Sequence, residues 1–203
     1  MTGPSYPPAP WCMEGSLWLS LFRLSADADE RHPAGTYGVC LVSYVDPSPL
    51  TYSELLVARY LPEGEHKGAV SVVDIWVDSP ASKAGGRELW AIPKELCDFD
   101  LESSFRGPLT STHWTATVDR HPIVEASFSD VSRAAPRVPF KGNVHQPGIE
   151  DHPEPADVVM SGTAKALPCR ARWTFAADGP LAYLRPARRL GSFRMASFRL
   201  TFD

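Results

Sequence analysis

Short apolar runs broken by prolines, glycines and acidic turns dominate this chain, and few of them keep a helical period. Tyr37–Tyr44 (YGVCLVSY) reads as a buried strand, and Leu17–Leu24, with Trp18 and Phe22, reads as another. Leu55–Leu61 and Ala69–Val77 follow, split by the polar Pro62–Gly68. Trp114–Val118, Ile123–Phe128, Arg172–Phe175, Leu181–Leu184 and Ser192–Phe202 have strand-like content. In the last of these, Phe198, Leu200 and Phe202 share one face, and Arg199 and Thr201 the other. Asp46–Leu50 (DPSPL) predicts a turn and Asp178-Gly179 a hairpin turn. Ser25–Gly35 predicts a loop or short helix, and the Pro-rich Arg133–Pro155 a long loop. The Pro-, Gly- and Ser-rich residues 1–10 predict a flexible arm, with a single domain over 11–203.

One segment predicts a helix. Ser79 is a natural N-cap, Pro80 suits the first helical position, and Ala81–Ile92 follows. Gly85 and Gly86 weaken that helix, which points to close packing or a bend. Pro93 ends it and can open a new turn, which would place Lys94 at a second helix start.

Composition narrows the class. Of 203 residues, 43% are hydrophobic and 22% charged, enough for a real core and too apolar for disorder. A net charge of −4 argues against nucleic acid as a partner. The longest apolar runs fall short of a membrane span, and no signal peptide is visible, so the expected compartment is the cytoplasm. Cys12, Cys40, Cys97 and Cys169 are scattered without metal-like spacing, and no disulfide is expected. The 20 prolines disfavour an all-helical fold. Together the pattern predicts a β-rich α+β domain with one or two short helices. No phosphate-binding loop, dinucleotide fingerprint, nucleophile elbow or zinc-protease motif occurs.

The segment Ile75–Phe99 (IWVDSPASKAGGRELWAIPKELCDF) carries the strongest signal. Its Val-Asp-Ser strand end, Gly-Arg-Glu-Leu and Pro-Lys run resembles the core motif of the acetoacetate decarboxylase-like superfamily. Upstream, Tyr52-Ser53-Glu54 resembles that family's Tyr-x-Glu element. The start (PAPWCMEGSLWLSLFRL) and end (GSFRMASFRLTFD) resemble its first and last strands more loosely. The resemblance implies a partly closed antiparallel or mixed β-barrel or cone with the active site inside, and a homo-oligomer. It also implies that Lys94 forms a Schiff base with a ketone and that Glu54 is the carboxylate beside it. The family's second lysine is replaced by Glu95. Its arginine near the first strand and glutamate on the next fall, without gaps, on Ser16 and Val39. Arg23 and Arg199 are the candidates to replace that arginine.

The chemistry of these residues is coherent with that resemblance. Free lysine titrates near ~10.4, so only about one in a few thousand is a neutral nucleophile at pH 7. Burial, a cation or a helix N-terminus can lower that value, and acetoacetate decarboxylase is itself a standard instance of such a lysine. Leu89, Trp90, Ile92, Leu96 and Phe99 offer apolar burial. A carboxylate at Glu54, opening a buried strand, can move protons beside an imine. Tyr52, Arg87 and Trp90 are candidate substrate-binding residues, Arg87 and Trp90 having structural readings as well. The C-terminal arginines read as ion-pair partners more readily than as a binding surface.

The expected function is a Schiff-base lyase acting on a small keto acid or related carbonyl compound. Decarboxylation, aldol, dehydration and cyclisation chemistry are all open to it, with acetoacetate itself disfavoured as substrate. Lysine supplies the chemistry, so no metal or organic cofactor is required. The alternative is a non-catalytic ligand-binding or scaffold protein that keeps the fold.

Overall fold

The computed structural model describes residues 4–203. Four strands come first: β1 (Trp11–Leu24), β2 (Gly35–Val45), β3 (Tyr52–Tyr60) and β4 (Val70–Val77). They form an antiparallel meander with Leu17 opposite Val42, Tyr44 opposite Tyr52, and Leu55 opposite Trp76. Helix α1 (Pro80–Trp90) and the short β5 (Lys94–Leu96) follow. A second sheet is built from β6 (Asp98–Arg106), β7 (Leu109–Val118) and β8 (His121–Asp130). The chain then returns through β9 (Arg137–Gln146) and β10 (Ala156–Pro168), adds β11 (Arg170–Phe175) to the second sheet, and ends on β12 (Arg188–Phe202).

The larger sheet runs β3-β2-β1-β12-β10-β9-β4-β5, and β4 also pairs with β3. The sheet therefore rolls into a ring, as the resemblance implied. The ring has a seam. β4 meets β9 through a single parallel bridge, Val70 to Val144. Beyond that bridge, the same edge of β4 takes β5 instead, with Ile75 opposite Lys94. The lysine thus enters the barrel wall at its least paired point.

Two apolar cores explain the unbroken hydrophobic run in β2. Val39 and Leu41, both fully buried, face outward onto the second sheet with order β11-β8-β7-β6. There Trp18, Leu41 and Val57 pack on Trp114, Ala126 and Phe128, and the Trp18 and Trp114 rings meet edge-on at 5.5 Å. Cys40, Val42 and Tyr44 face inward, toward Ile75, Val144 and Phe198. Alternate residues point to opposite faces of a strand, so a strand covered on both sides is apolar throughout.

The same logic accounts for what the sequence pattern did not reveal. β6 is an edge strand with mostly exposed side chains, so it has no apolar alternation. The expected loop Arg133–Pro155 contains β9, which pairs with β10 along its length but touches β4 only once. Such a near-edge strand tolerates a proline, here Pro139. Leu181–Leu184 is not a strand. It holds a 3-10 turn (Ala182–Leu184), and Leu181 and Leu184, three apart, share its buried side. Asp178-Gly179 consequently turns into that segment rather than closing a hairpin.

One buried ion pair joins the sheets. Arg194 Nη1 lies 3.3 Å from Asp130 Oδ2, and its guanidinium stacks 4.2 Å over Trp18. Burial lowers the Arg194 pKa against the pull of Asp130. Arg194→Ala would strand the Asp130 carboxylate, at a cost of about 3–5 kcal/mol. Urea unfolding should show that loss for the single variant and recover most of it for Arg194→Met/Asp130→Leu.

Candidate active site

Lys94 owes its position to the end of α1. The helix stops at Trp90 because Ala91 turns left-handed (φ 53°), with its N–H and that of Ile92 closing on Arg87 and Gly86. Pro93 sits in a tight three-residue turn, the Lys94 N–H donating to the Ile92 carbonyl at 2.7 Å, from which the chain enters β5. Lys94 is therefore a strand residue and not the start of a second helix, so the expected activation by its own helix N-terminus does not arise. Its side chain folds back across α1, where a Cβ on Gly86 would lie 2.7 Å from Lys94 Cδ and Cε. A Cβ on Gly85 would lie 2.7 Å from the Trp11 ring. The paired glycines serve close packing rather than a bend.

The lysine is 4% exposed, and its Nζ meets three acceptors. These are Ser82 Oγ at 2.9 Å, Glu54 Oε2 at 3.0 Å and Tyr52 OH at 3.3 Å. An ammonium has three N–H donors, so all of them are used. Tyr44 donates to Glu54 Oε1 at 3.1 Å from the strand next door. Tyr44 and Tyr52 are register partners, which brings their ring centroids to 4.5 Å at a tilt of 34° and both hydroxyls to the Glu54 carboxylate. Burial pushes the Tyr52 phenol up to about 12, Lys94 opposing and Glu54 reinforcing. Burial also pushes Tyr44 well above its usual value, with Glu54 adding to it. For Lys94, burial acts to lower the pKa, but Glu54 and then Tyr52 outweigh it, leaving it above the ordinary lysine value. The resting site is an ion pair.

Around this cluster lies a cavity of about 430 Å3. Tyr52, Glu54, Trp90 and Lys94 line it, so the structure brings four of the five expected site residues together. Arg87 is the exception. It lies outside the cavity, bonded to Asp151 (2.6 Å), Glu95 (3.1 Å) and the Lys94 carbonyl (3.3 Å). Its contacts brace β5, since three of its five N–H donors go to that strand and to Asp151. Glu95 points away from the Nζ of Lys94, toward Lys83 (2.6 Å) and Arg87.

Ser16 and Val39 prove to be the wrong face of their strands. Val39 sits between the two sheets, and Ser16 accepts from Arg194. The faces of β1 and β2 toward the cavity carry Leu17, Leu19 and Leu21, and Gly38, Cys40, Val42 and Tyr44. No shift of alignment puts an arginine or glutamate there. Arg23 and Arg199 do not replace one: Arg23 donates to Thr36, and the exposed Arg199 pairs with Glu14 at 3.1 Å.

Two site residues escaped the sequence reading. Tyr44 could have been found as the next inward position after Cys40 and Val42. Ser82 carried no such signal, because its place depends on how α1 docks against β5. A separate cluster, His66, His145 and Asp157, lies apart from the cavity lining, with Asp157 accepting from His145 at 2.8 Å.

Gly86→Ala offers a direct check on how the amine is held. The added methyl must displace the Lys94 stem, at about 1–3 kcal/mol of overpacking. Better helix propensity returns up to about 1 kcal/mol. Thermal melts should therefore show a modest loss, while borohydride capture of a carbonyl on Lys94 should fall by roughly tenfold or more.

The fold is a closed mixed β-sheet with a buried lysine–carboxylate pair facing its cavity. The family model for acetoacetate decarboxylase matches residues 24–198, and the chain belongs to that family. Among solved structures, the chain resembles the enduracididine biosynthesis enzyme MppR complexed with pyruvate, with TM-score 0.64 and 15% identity over 100% of this chain and 96% of that one. It also resembles an acetoacetate decarboxylase-like enzyme from Sphingomonas wittichii RW1, with TM-score 0.61 and 11% identity over 99% and 96% of the two chains. Acetoacetate decarboxylase from Legionella pneumophila gives TM-score 0.61 and 14% identity over 100% and 90%. No protein of curated function matches the sequence. No helix among the described residues is long and apolar enough to cross a membrane.

Proposed function

We propose that this protein is a Schiff-base enzyme in which Lys94 condenses with the carbonyl group of a small molecule. The observation that carries the reading is the Lys94 amine, buried at the cavity wall and 3.0 Å from the Glu54 carboxylate. The fold neighbour MppR was solved with pyruvate, a ketone-bearing molecule, which supports a carbonyl ligand.

The resting ion pair sets the first step. A proton passes from the Lys94 ammonium to Glu54, a transfer whose cost the dry cavity reduces because it removes two charges at once. The neutral amine attacks the carbonyl carbon and forms a C–N bond, giving a carbinolamine. Glu54, now a carboxylic acid, returns its proton to the leaving oxygen, which departs as water. The product is a protonated imine beside a carboxylate, and atoms and charge balance. That imine draws electrons from the adjacent carbon, which is the common requirement of decarboxylation, aldol and dehydration chemistry. Tyr44 and Tyr52 hold the carboxylate in line while its proton moves.

This sequence has a signature that does not depend on knowing the final reaction. Each cycle of condensation and hydrolysis replaces the carbonyl oxygen with one from solvent. Incubation of a ketone panel in oxygen-18 water should give protein-dependent label uptake, read by mass spectrometry. Absence of exchange with every ketone would contradict the reading. One feature favours a binding protein instead: the salt bridge that stabilises the unreactive ammonium. A binding protein would retain a ketone without exchanging its oxygen.

A further inference from the structure

The cavity is larger and drier than a small keto acid needs. At about 30 Å3 for each water-sized group, its volume of about 430 Å3 has room for roughly fourteen such groups. The inward residues of β3, from Tyr52 and Glu54 through Leu56 and Ala58 to Tyr60, all line it. A strand rises ~3.3 Å per residue, so the wall from Glu54 to Ala58 alone runs ~13 Å. Tyr60 is 42% exposed, and Thr36 beside it is partly exposed, so the cavity opens at that end. Lys94 lies at the buried end of the same wall.

The charges on this lining are equally informative. Among the described residues, Lys94 and Glu54 are the only charged side chains on it, and they face each other. A substrate carboxylate would need a cation. The only cation on the wall is the nucleophile, which must give up its proton to react and already has a carboxylate partner. Deeper along the wall the acid would lie against Leu19, Met160, Phe140 or Phe198, and at the mouth it would meet only the neutral hydroxyls of Thr36 and Tyr60.

From these observations we infer that the substrate is an uncharged ketone or aldehyde bearing an apolar chain of roughly eight to twelve heavy atoms. Its carbonyl carbon meets Lys94 Nζ, and its chain runs along β3 toward Tyr60. The inference rests on the imine reading above and narrows it, moving the substrate class away from small keto acids.

The test is borohydride capture across a homologous series of 2-alkanones from butanone to dodecanone, alongside pyruvate and acetoacetate. The half-saturating concentration should fall roughly three- to fourfold per methylene until the cavity is filled. The two keto acids should require roughly a hundredfold more than decanone. Ala58→Phe, which narrows the cavity away from the amine, should lose the gain from longer chains. The wild-type series stands on its own if that variant does not fold. Capture that is flat with chain length, or best with the keto acids, overturns the inference. No adduct from any carbonyl overturns the imine reading instead, and decanol, which cannot form an imine, separates the two failures. Decanol binding, read by titration calorimetry, then keeps the apolar occupant, whereas no binding sinks that as well.

Discussion

Lys94→Met is expected to abolish carbonyl-oxygen exchange and imine formation, a loss of roughly a thousandfold or more. The substitution keeps the length and apolar stem of the side chain and removes only the amine. Its cost to the fold needs separate control, because removing one partner of a buried ion pair can cost about 3–5 kcal/mol. Lys94→Met/Glu54→Gln removes the problem altogether, since neither residue is then charged. Both variants should retain the wild-type circular dichroism spectrum while showing no exchange. Exchange at more than a few per cent of the wild-type rate in either folded variant would place the chemistry on another residue.

Glu54→Gln should have the second largest effect and should act in two directions. Its stranded ammonium would then answer mainly to burial, so the Lys94 pKa should drop from above to below the ordinary lysine value. Borohydride capture of a simple ketone should therefore reach its half-maximal rate at lower pH than in the wild type. Oxygen exchange should fall by about 10²–10⁴-fold, because the carboxyl that returns the proton to the leaving oxygen is gone. The sign of the stability profile should also invert. In the wild type the raised Lys94 pKa adds stability at and below the unfolded value of about 10.4, lost as pH rises through the higher folded value. In Glu54→Gln the depressed value should make the protein lose stability as pH falls below about 10.4. Denaturant titrations across neutral and alkaline pH would measure both trends. A wild-type capture profile in Glu54→Gln would mean that Glu54 does not set the state of the amine.

Much of this architecture was legible in the sequence, and the exceptions have physical causes. Strands covered on both faces, such as β2, show as unbroken apolar runs, while β6 and β9, at or near an edge, show almost nothing. The start of α1 was readable because capping by Ser79 and Pro80 is local chemistry. The path after Pro93 was not, because β5 forms only where β4 has a free edge left by β9, a fact of distant pairing. The site followed the same division. Lys94, Glu54, Tyr52 and Trp90 could be nominated from short motifs, and all four line the cavity. Arg87 could not be sorted from them without seeing Glu95 and Asp151 beside it. The polarity of the amine was also hidden. Burial of Lys94 and a carboxylate beside it were foreseeable, but not that Glu54, at 3.0 Å, and Tyr52 together outweigh burial and raise the lysine pKa. The apolar lining required the ring itself, since its residues come from strands at both ends of the chain.

The most direct test of the central claim is peptide mapping after borohydride reduction in the presence of a medium-chain ketone. The account requires one added alkyl mass, located on Lys94, formed by the wild type and absent from Lys94→Met. An adduct on another lysine, or none at all on folded protein that takes up the ketone, would contradict it.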